Sequence, residues 1–301
     1  MPVTDPLLHA GYPALFHAAD TASLSGQRRF FVALKFRLAG LILGALGGGV
    51  LVALQLYVIG GWVALIGFAA ALIAELYTAI EQPDRRWYEG RAAAESVKTL
   101  AWRYAARGES FDSSLSAAEA DARLVARVEE VLNDLDGLGI ESSEKFGSQI
   151  SSRMREIRDE TFDERRHIYC EGRVENQRVW YARRAKWNRT RLHAWTLGIL
   201  IAEGLGLLGG VLTIVGVLSL DLLGLIAALT AVAAAWTQAR QYSALATAYG
   251  ITAQELASVI AEASRVVEAD WADFVGGAEG AISREHTLWT ASRGLRIRSK
   301  G

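Results

Sequence analysis

The chain has 301 residues, of which 51% are hydrophobic and 22% are charged, with 32 basic against 33 acidic side chains. The near-zero net charge argues against a nucleic-acid-binding protein that works by global electrostatic attraction. A single cysteine, Cys170, excludes an intramolecular disulfide and fits a reducing cytoplasm, where we expect its thiol to be unreactive.

A first hydrophobic hairpin is predicted near the N-terminus. Residues 1–27 lack the basic head and apolar core of a secretory signal, and we expect residues 1–37 to form an N-terminal cytoplasmic segment. The uncharged run at about 38–58 is long enough to cross a hydrocarbon core of about 30 Å. Ile59–Gly61 offers the shortest of turns, and a second span is predicted to return over about 62–80.

The same pattern recurs in the second half of the chain. Pro83 breaks the second span, and amphipathic helices complete a first unit over 38–141. A second unit over 142–293 begins with a long charged helix without proline. It leads into spans predicted at about 195–217 and 220–237.

Two further helices are expected after the fourth span. Thr252 starts a TAQE sequence with capping-box spacing, and we expect it to open a helix that ends at Gly276–Gly277. The last helix follows, and residues 294–301 form a basic tail suited to anionic lipid. The sequence therefore predicts an all-α integral membrane protein with two transmembrane helical hairpins (four spans) and a cytoplasmic helical bundle.

The charge distribution predicts the orientation. The two predicted outer turns contain no Lys or Arg, whereas basic residues flank the other end of every span. Since short cytoplasmic loops carry the excess of Lys and Arg, we expect a multi-pass protein of the bacterial inner membrane with both termini in the cytoplasm.

Small residues at four-residue spacing predict where the spans pack. Helices in lipid gain little from hydrophobic burial against each other, so close approach depends on small side chains. Rows of this kind occur in the first and third spans, and their predicted packing residues are Gly40, Gly44, Gly48, Gly206 and Gly210.

Polar residues inside the spans are the candidates for a pore lining. Glu203 is the deepest, and a carboxylate in the bilayer should face protein, water or a partner. A protonated or hydrogen-bonded packing residue is the alternative for Glu203, and snorkelling to the interface is the alternative for Glu75. Thr78, Thr230 and Thr237 lie on small, mildly polar stripes, which can line a wet path or pack helices together.

No motif for catalysis, metal binding or a cofactor is found. The chain has no phosphate-binding glycine loop, no metal-spaced Cys/His cluster and no nucleophile motif, and its five histidines are scattered. We therefore expect no catalytic residue, no metal, no cofactor and no enzyme activity. The aromatic and basic stretch 179–195 precedes a span, which favours an interfacial anchor over a nucleic-acid surface.

Several segments resemble a known family. The runs at 173–191, 236–256 and 278–293 around the second hairpin are similar to the SLATT family, the SMODS and SLOG-associating two-transmembrane effector domains of bacteria. The first half, with WYEGRAAAESVKTLAWRYAARGESF at 87–111, resembles a second, diverged copy. The family-like positions are Trp87, Arg91, Trp102, Asn176, Trp180, Tyr181, Asn188, Glu285, His286 and Trp289.

The resemblance implies a membrane effector of a bacterial antiphage or nucleotide-signalled conflict system, which forms pores that permeabilise or depolarise the membrane. We expect a homo-oligomer in the lipid bilayer, triggered by a nucleotide second messenger or a partner sensor protein. A non-conducting scaffold that positions a signalling partner is the first alternative. A membrane enzyme is the second, and the missing catalytic constellation counts against it.

Overall fold

The computed structural model of the protein describes residues 5–7, 11–133, 148–218 and 222–291, with the backbone alone for 284–291. Every regular element in these ranges is helical, which confirms the all-α class. Four stretches are long and apolar enough to cross a membrane, by length and composition: Ala14–Leu51, Tyr57–Glu81, Phe162–Ile214 and Leu222–Ala263.

The elements follow one another with short breaks. They are α1 (Ala14–Ala45), a π-helical turn (Leu46–Leu51), α2 (Tyr57–Glu81), α3 (Pro83–Ala105), α4 (Ala117–Asn133), α5 (Ser152–Asp159), α6 (Phe162–Tyr169), a second π-helical turn (Cys170–Glu175), α7 (Asn176–Ile214), α8 (Leu222–Arg240), α9 (Tyr242–Ala263), a 3-10 turn (Glu268–Asp270) and α10 (Trp271–Ala291).

The helix boundaries depart from the sequence expectation at three places. The first hairpin turns at Gln55, which has a positive φ of 66°, because Gly60 is already inside α2 and packs against the π-helical turn that follows α1. The long charged helix is interrupted at Glu160, which is extended. The Thr252 capping box lies inside α9, since that helix already begins at Tyr242.

Gly276 does not end a helix either, because α10 runs through it. A Cβ atom at Gly276 would lie 2.5 Å from a carboxylate oxygen of Glu109. The backbone N–H of Glu109 donates to the carbonyl of Ala272 at 2.8 Å, which holds the loop after α3 against α10. The glycine is therefore explained by close packing of this loop.

Both hairpins end at a left-handed glutamine. Gln82 (φ 44°) separates α2 from α3, and Gln241 (φ 52°) separates α8 from α9. The backbone N–H of Gln82 donates to the carbonyl of Thr78 at 3.1 Å, and that of Gln241 donates to the carbonyl of Thr237 at 2.9 Å. A non-glycine residue in this region costs about 1 kcal/mol or more, so each helix break is held by its surroundings.

The chain forms two compact units, each assembled from both halves of the sequence. The head unit comprises Met1–Gly26, Arg85–Ala185 and Thr247–Gly301. The span unit comprises Gln27–Asp84 and Lys186–Ala246, and it contains both hairpins. The two sequence halves therefore do not fold as separate bodies.

An aromatic cluster forms the core of the head unit. Trp102, Tyr169 and Trp271 are almost fully buried, and the ring of Tyr169 lies 5.8 Å from that of Trp102 and 5.7 Å from that of Trp271. The indole N–H of Trp102 donates to the hydroxyl of Tyr12 at 2.9 Å, and that of Trp271 donates to the carbonyl of Ala106 at 2.7 Å. Each buried polar tip thus has a partner, as burial requires.

A fully buried ion pair joins the helices around this core. The guanidinium of Arg173 donates to both carboxylate oxygens of Glu279, at 2.9 Å and 2.7 Å. Tyr169 and Thr99 donate to the same carboxylate at 3.1 Å and 2.9 Å. The carboxylate therefore ties α3, α6 and α10 to the π-helical turn that carries Arg173.

Two further buried arginines bond to backbone carbonyls. Arg158 donates to the carbonyls of Tyr104 and Phe111 at 3.0 Å and 2.8 Å, and Arg165 donates to that of Glu160 at 2.7 Å. Burial, together with the nearby charge of Arg107, lowers the pKa of Arg158 and of Arg165 from the ordinary arginine value. These side chains bond to carbonyls in the last turn of α3 (Tyr104), in the loop after it (Phe111) and directly after α5 (Glu160).

Replacing Glu279 with glutamine is expected to lower the free energy of unfolding by about 3–5 kcal/mol, because Arg173 would remain charged in an interior without water. Urea unfolding in detergent micelles, followed by tryptophan fluorescence, measures the loss. The control is Glu156→Gln, which breaks the exposed Arg153–Glu156 pair (3.0 Å) and should cost about 0–1 kcal/mol. Equal losses would contradict the structural role of the buried pair.

The thiol of Cys170 should react slowly. Burial raises its pKa to about 11, Arg166 opposes the shift and Glu171 adds to it. Since alkylation requires the thiolate, iodoacetamide near pH 8 should modify Cys170 about a hundredfold more slowly than an unburied cysteine. The rate should rise with pH until about 11, and unfolding in urea should abolish the difference. Rapid labelling of the folded protein would be inconsistent with this environment.

Candidate pore-lining surface

The helices of the first hairpin meet backbone to backbone. A Cβ atom on Gly67 would lie 2.6 Å from the carbonyl oxygen of Gly40, and one on Gly60 would lie 2.6 Å from that of Gly47. Gly44 faces the ring of Phe68. Only glycine allows this approach, so α1 and α2 leave no water path between them.

The second hairpin packs less closely. Gly206 faces Ile226 and Gly209 faces Leu222, with distances of 3.1 Å and 3.0 Å from a Cβ atom placed on each glycine to the nearest side-chain atom. At Gly210 the corresponding distance to Leu223 is 3.5 Å. The contacts of α7 in this hairpin are therefore made with side chains of α8 rather than with its backbone.

Four of the predicted polar residues already have an ion-pair or hydrogen-bond partner within the protomer. Glu75 accepts an ion pair from Arg37 at 2.7 Å, with both side chains about half exposed. The hydroxyls of Thr78, Thr230 and Thr237 donate to carbonyls of their own helices, at 2.6 Å, 3.0 Å and 2.9 Å. The ion pair joins α1 to α2, while the threonines offer only oxygen lone pairs to the surroundings.

Glu203 differs from these residues because it is exposed on the protomer surface and its side chain forms no ion pair or hydrogen bond among the described residues. It lies eight residues after Trp195 in the third span, which corresponds to about 12 Å along the helix. The pairing of Gly206 with Ile226 and of Gly209 with Leu222 sets an antiparallel register. By this register Glu203 is level with Thr230, so these two predicted residues share one depth in the bilayer.

Comparison with known families gives two matches. The family described as SMODS and SLOG-associating 2TM effector domain 3 (SLATT_3) matches residues 13–166, and the one described as domain 1 (SLATT_1) matches residues 169–289. The chain belongs to the SLATT family. It carries two SLATT domains in tandem, whose matched ranges meet between 166 and 169, whereas the sequence alone placed the division after 141. No curated protein and no solved structure matches the chain.

The SLATT-like signature residues do not form one cluster. Trp87, Trp102 and Tyr181 are buried in the head unit, and Asn188 is buried in the span unit. Trp180 is 38% exposed and lies 5.4 Å from the guanidinium of Arg184. Arg91 and Asn176 are half-buried, while the side chains of Glu285, His286 and Trp289 lie outside the described residues.

Sequence reasoning missed three of the glycines that contact the facing helix of the first hairpin. Gly47 lies seven residues after Gly40 on the same face, while Gly48, which the four-residue spacing selected, has open space. Gly60 was assigned to the turn, and Gly67 was overlooked. Gly60 and Gly67 on α2 are also seven residues apart, and this matching seven-residue spacing is the sequence pattern that could have predicted the contact.

Adjacent glycines of the SLATT hairpin provide a matched test of its packing. Gly60→Ala would place a methyl group 2.6 Å from the carbonyl of Gly47, whereas Gly61 has nothing within 4 Å. We expect Gly60→Ala to lower the unfolding temperature in micelles by several degrees, at a cost of about 1–3 kcal/mol, and Gly61→Ala to leave it nearly unchanged. Similar effects of the two changes would argue against this helix contact.

Proposed function

We propose that this SLATT protein is a pore- or channel-forming effector that oligomerises in the bacterial inner membrane. Its action permeabilises or depolarises the membrane in an antiphage or nucleotide-signalled conflict system. The head unit and both termini lie in the cytoplasm. Membership of a family of two-transmembrane effector domains supports the effector role, and the pore is our proposal.

The exposure of Glu203 is the observation that carries the proposal. A carboxylate in the centre of a bilayer costs about 2.5–3.5 kcal/mol, so a surface position facing lipid is unfavourable. Water in a channel, or a polar group of another protomer, removes this cost. Because α1 and α2 touch through their backbones, a water path is expected between protomers rather than inside one hairpin.

The lining of the pore then comes from the second hairpin. Glu203 supplies the charge, and Thr230 lies at the same depth with oxygen lone pairs available. A ring of glutamates, one from each protomer, is the arrangement that selects cations in known channels. The proposed pore is therefore cation-selective.

A scaffold role is the second candidate, and a groove in the head unit favours it. The groove has a volume of about 1140 Å³ and lies between α9 and α10. Its lining has an apolar part with Val259 and Phe274 and an acidic part that includes Glu262 and Asp273. This surface fits a basic, partly apolar protein segment better than a nucleotide, which favours a partner sensor protein as the trigger.

Planar-bilayer recording of the purified protein tests the pore. We expect discrete currents, and Glu203→Gln should lower the preference for cations and change the unitary conductance. The double variant Thr230→Ala/Thr237→Ala should change conductance less, because the hydroxyls already bond to their own helix. The control Glu129→Gln removes an exposed carboxylate from α4 in the head unit and should change neither property.

The outcomes separate the two functions. Currents that Glu203→Gln leaves unchanged would exclude this residue from the conduction path. Currents carried by monomeric protein would contradict the proposal that the pore forms by oligomerisation. No current in the presence of extract from infected host cells would favour the scaffold over the pore.

A further inference from the structure

A cation held between aromatic rings lies at the seam between the two hairpins of the span unit. The guanidinium carbon of Arg240, the last residue of α8, is 3.9 Å from the ring centroid of Phe31 and 4.8 Å from that of Trp236. The two rings themselves meet at 5.9 Å in an edge-on arrangement. Phe31 belongs to α1, so Arg240 bridges the first and the second hairpin.

The aromatic rings contact the faces of the Arg240 guanidinium but do not neutralise its positive charge. The Nε atom of Arg240 is buried and has no hydrogen-bond partner, and no ion pair to this residue occurs in the part of the chain that the structure describes. Arginine contacts aromatic rings through its flat faces, which leaves its N–H donors in the plane of the group. The two Nη groups of Arg240, which are not among the buried atoms, are suited to the oxygens of a phosphate, which arginine can bind through two nitrogens.

Two further cations lie on the face of α1 that carries Phe31. Arg28 precedes Phe31 by three residues and Lys35 follows it by four, which places all three on one side of the helix. Both basic side chains are exposed, and neither forms an ion pair among the described residues. Arg37, two residues after Lys35, differs because it is already paired with Glu75.

The position fixes the source of the anion. Trp236 ends the apolar part of the fourth span, and tryptophan at a span end lies at headgroup level. A cation one turn beyond it, Arg240, is at the depth of the lipid phosphates. We propose that Arg240, supported by Arg28 and Lys35, binds the headgroup phosphate of an anionic phospholipid at the seam between the hairpins.

Binding there joins α1 to α8 from outside, since one headgroup contacts cations of both helices. The site lies directly before Gln241, where α8 gives way to α9. Anionic lipid therefore stabilises the docking of the two hairpins at the point where the chain leaves the spans. This lipid contact does not require the protein to conduct ions.

Native mass spectrometry of the delipidated full-length protein, titrated with phosphatidylglycerol or phosphatidylcholine, tests the site. The unmodified protein should bind phosphatidylglycerol more tightly than phosphatidylcholine. Arg240→Gln should weaken phosphatidylglycerol binding about fivefold, which is the loss of about 1 kcal/mol expected for one basic residue near anionic lipid. Arg240→Lys should recover only part of it, because lysine keeps the charge and loses the planar donors.

The matched control is Arg85→Gln, which removes an exposed arginine that already pairs with Glu89 at 2.7 Å. It should leave phosphatidylglycerol binding unchanged. If Arg85→Gln weakened binding as much as Arg240→Gln, the lipid would be held by diffuse attraction to surface charge and not by this site. The double variant Arg28→Gln/Lys35→Gln changes exposed residues only, and it decides the question if Arg240→Gln fails to fold. Unchanged binding in this double variant and in Arg240→Gln would overturn the proposal. Complete displacement of the lipid by inorganic phosphate would assign the site to a free anion instead.

Discussion

Backbone contact between the first two spans is the constraint on which the membrane part of this protein depends. Gly40, Gly47, Gly60 and Gly67 bring α1 and α2 so close that no side chain fits between them. Helices in lipid gain little from burying apolar surface against each other, so this contact supplies the dispersion energy that a soluble core would gain from water exclusion. The same contact closes the hairpin to water, and any path for ions must then use surfaces that α1 and α2 leave free.

The head unit, in contrast, depends on a buried ion pair and its hydrogen bonds. Burying Arg173 and Glu279 carries a desolvation cost, which the four hydrogen bonds received by the carboxylate offset. Arg173 lies in the π-helical turn Cys170–Glu175, whose wider turn rotates its side chain relative to a regular helix. The buried pair therefore selects one arrangement of α3, α6 and α10, and the chain leading into the third span starts from that fixed position.

The spans, the helical class and the family could be predicted because each follows from a local pattern of composition or sequence. Long-range contacts could not: Arg173 and Glu279 are 106 residues apart, and no periodicity marks either as buried. Glycines misled the sequence reading for the same reason. Gly60 and Gly276 have the local character of a turn and a helix end, yet each is explained by a distant segment that approaches its missing side chain. Among the polar residues, Glu75 is paired with Arg37, which lies on another helix, and the sequence around Glu75 does not indicate that partner.

The tandem domains share backbone geometry and differ in where they place charge. Thr78 and Gln82 of the first hairpin correspond to Thr237 and Gln241 of the second, with the same left-handed break after each span. At the position of Glu75 the second hairpin has Ala234, so the described residues of this hairpin form no interhelical ion pair there, and Glu203 on α7 carries a carboxylate instead. A closed, paired hairpin suits a structural role, and an open one with an exposed carboxylate suits a lining role. The proposed pore therefore assigns conduction to the second SLATT domain and leaves the first to hold it in place.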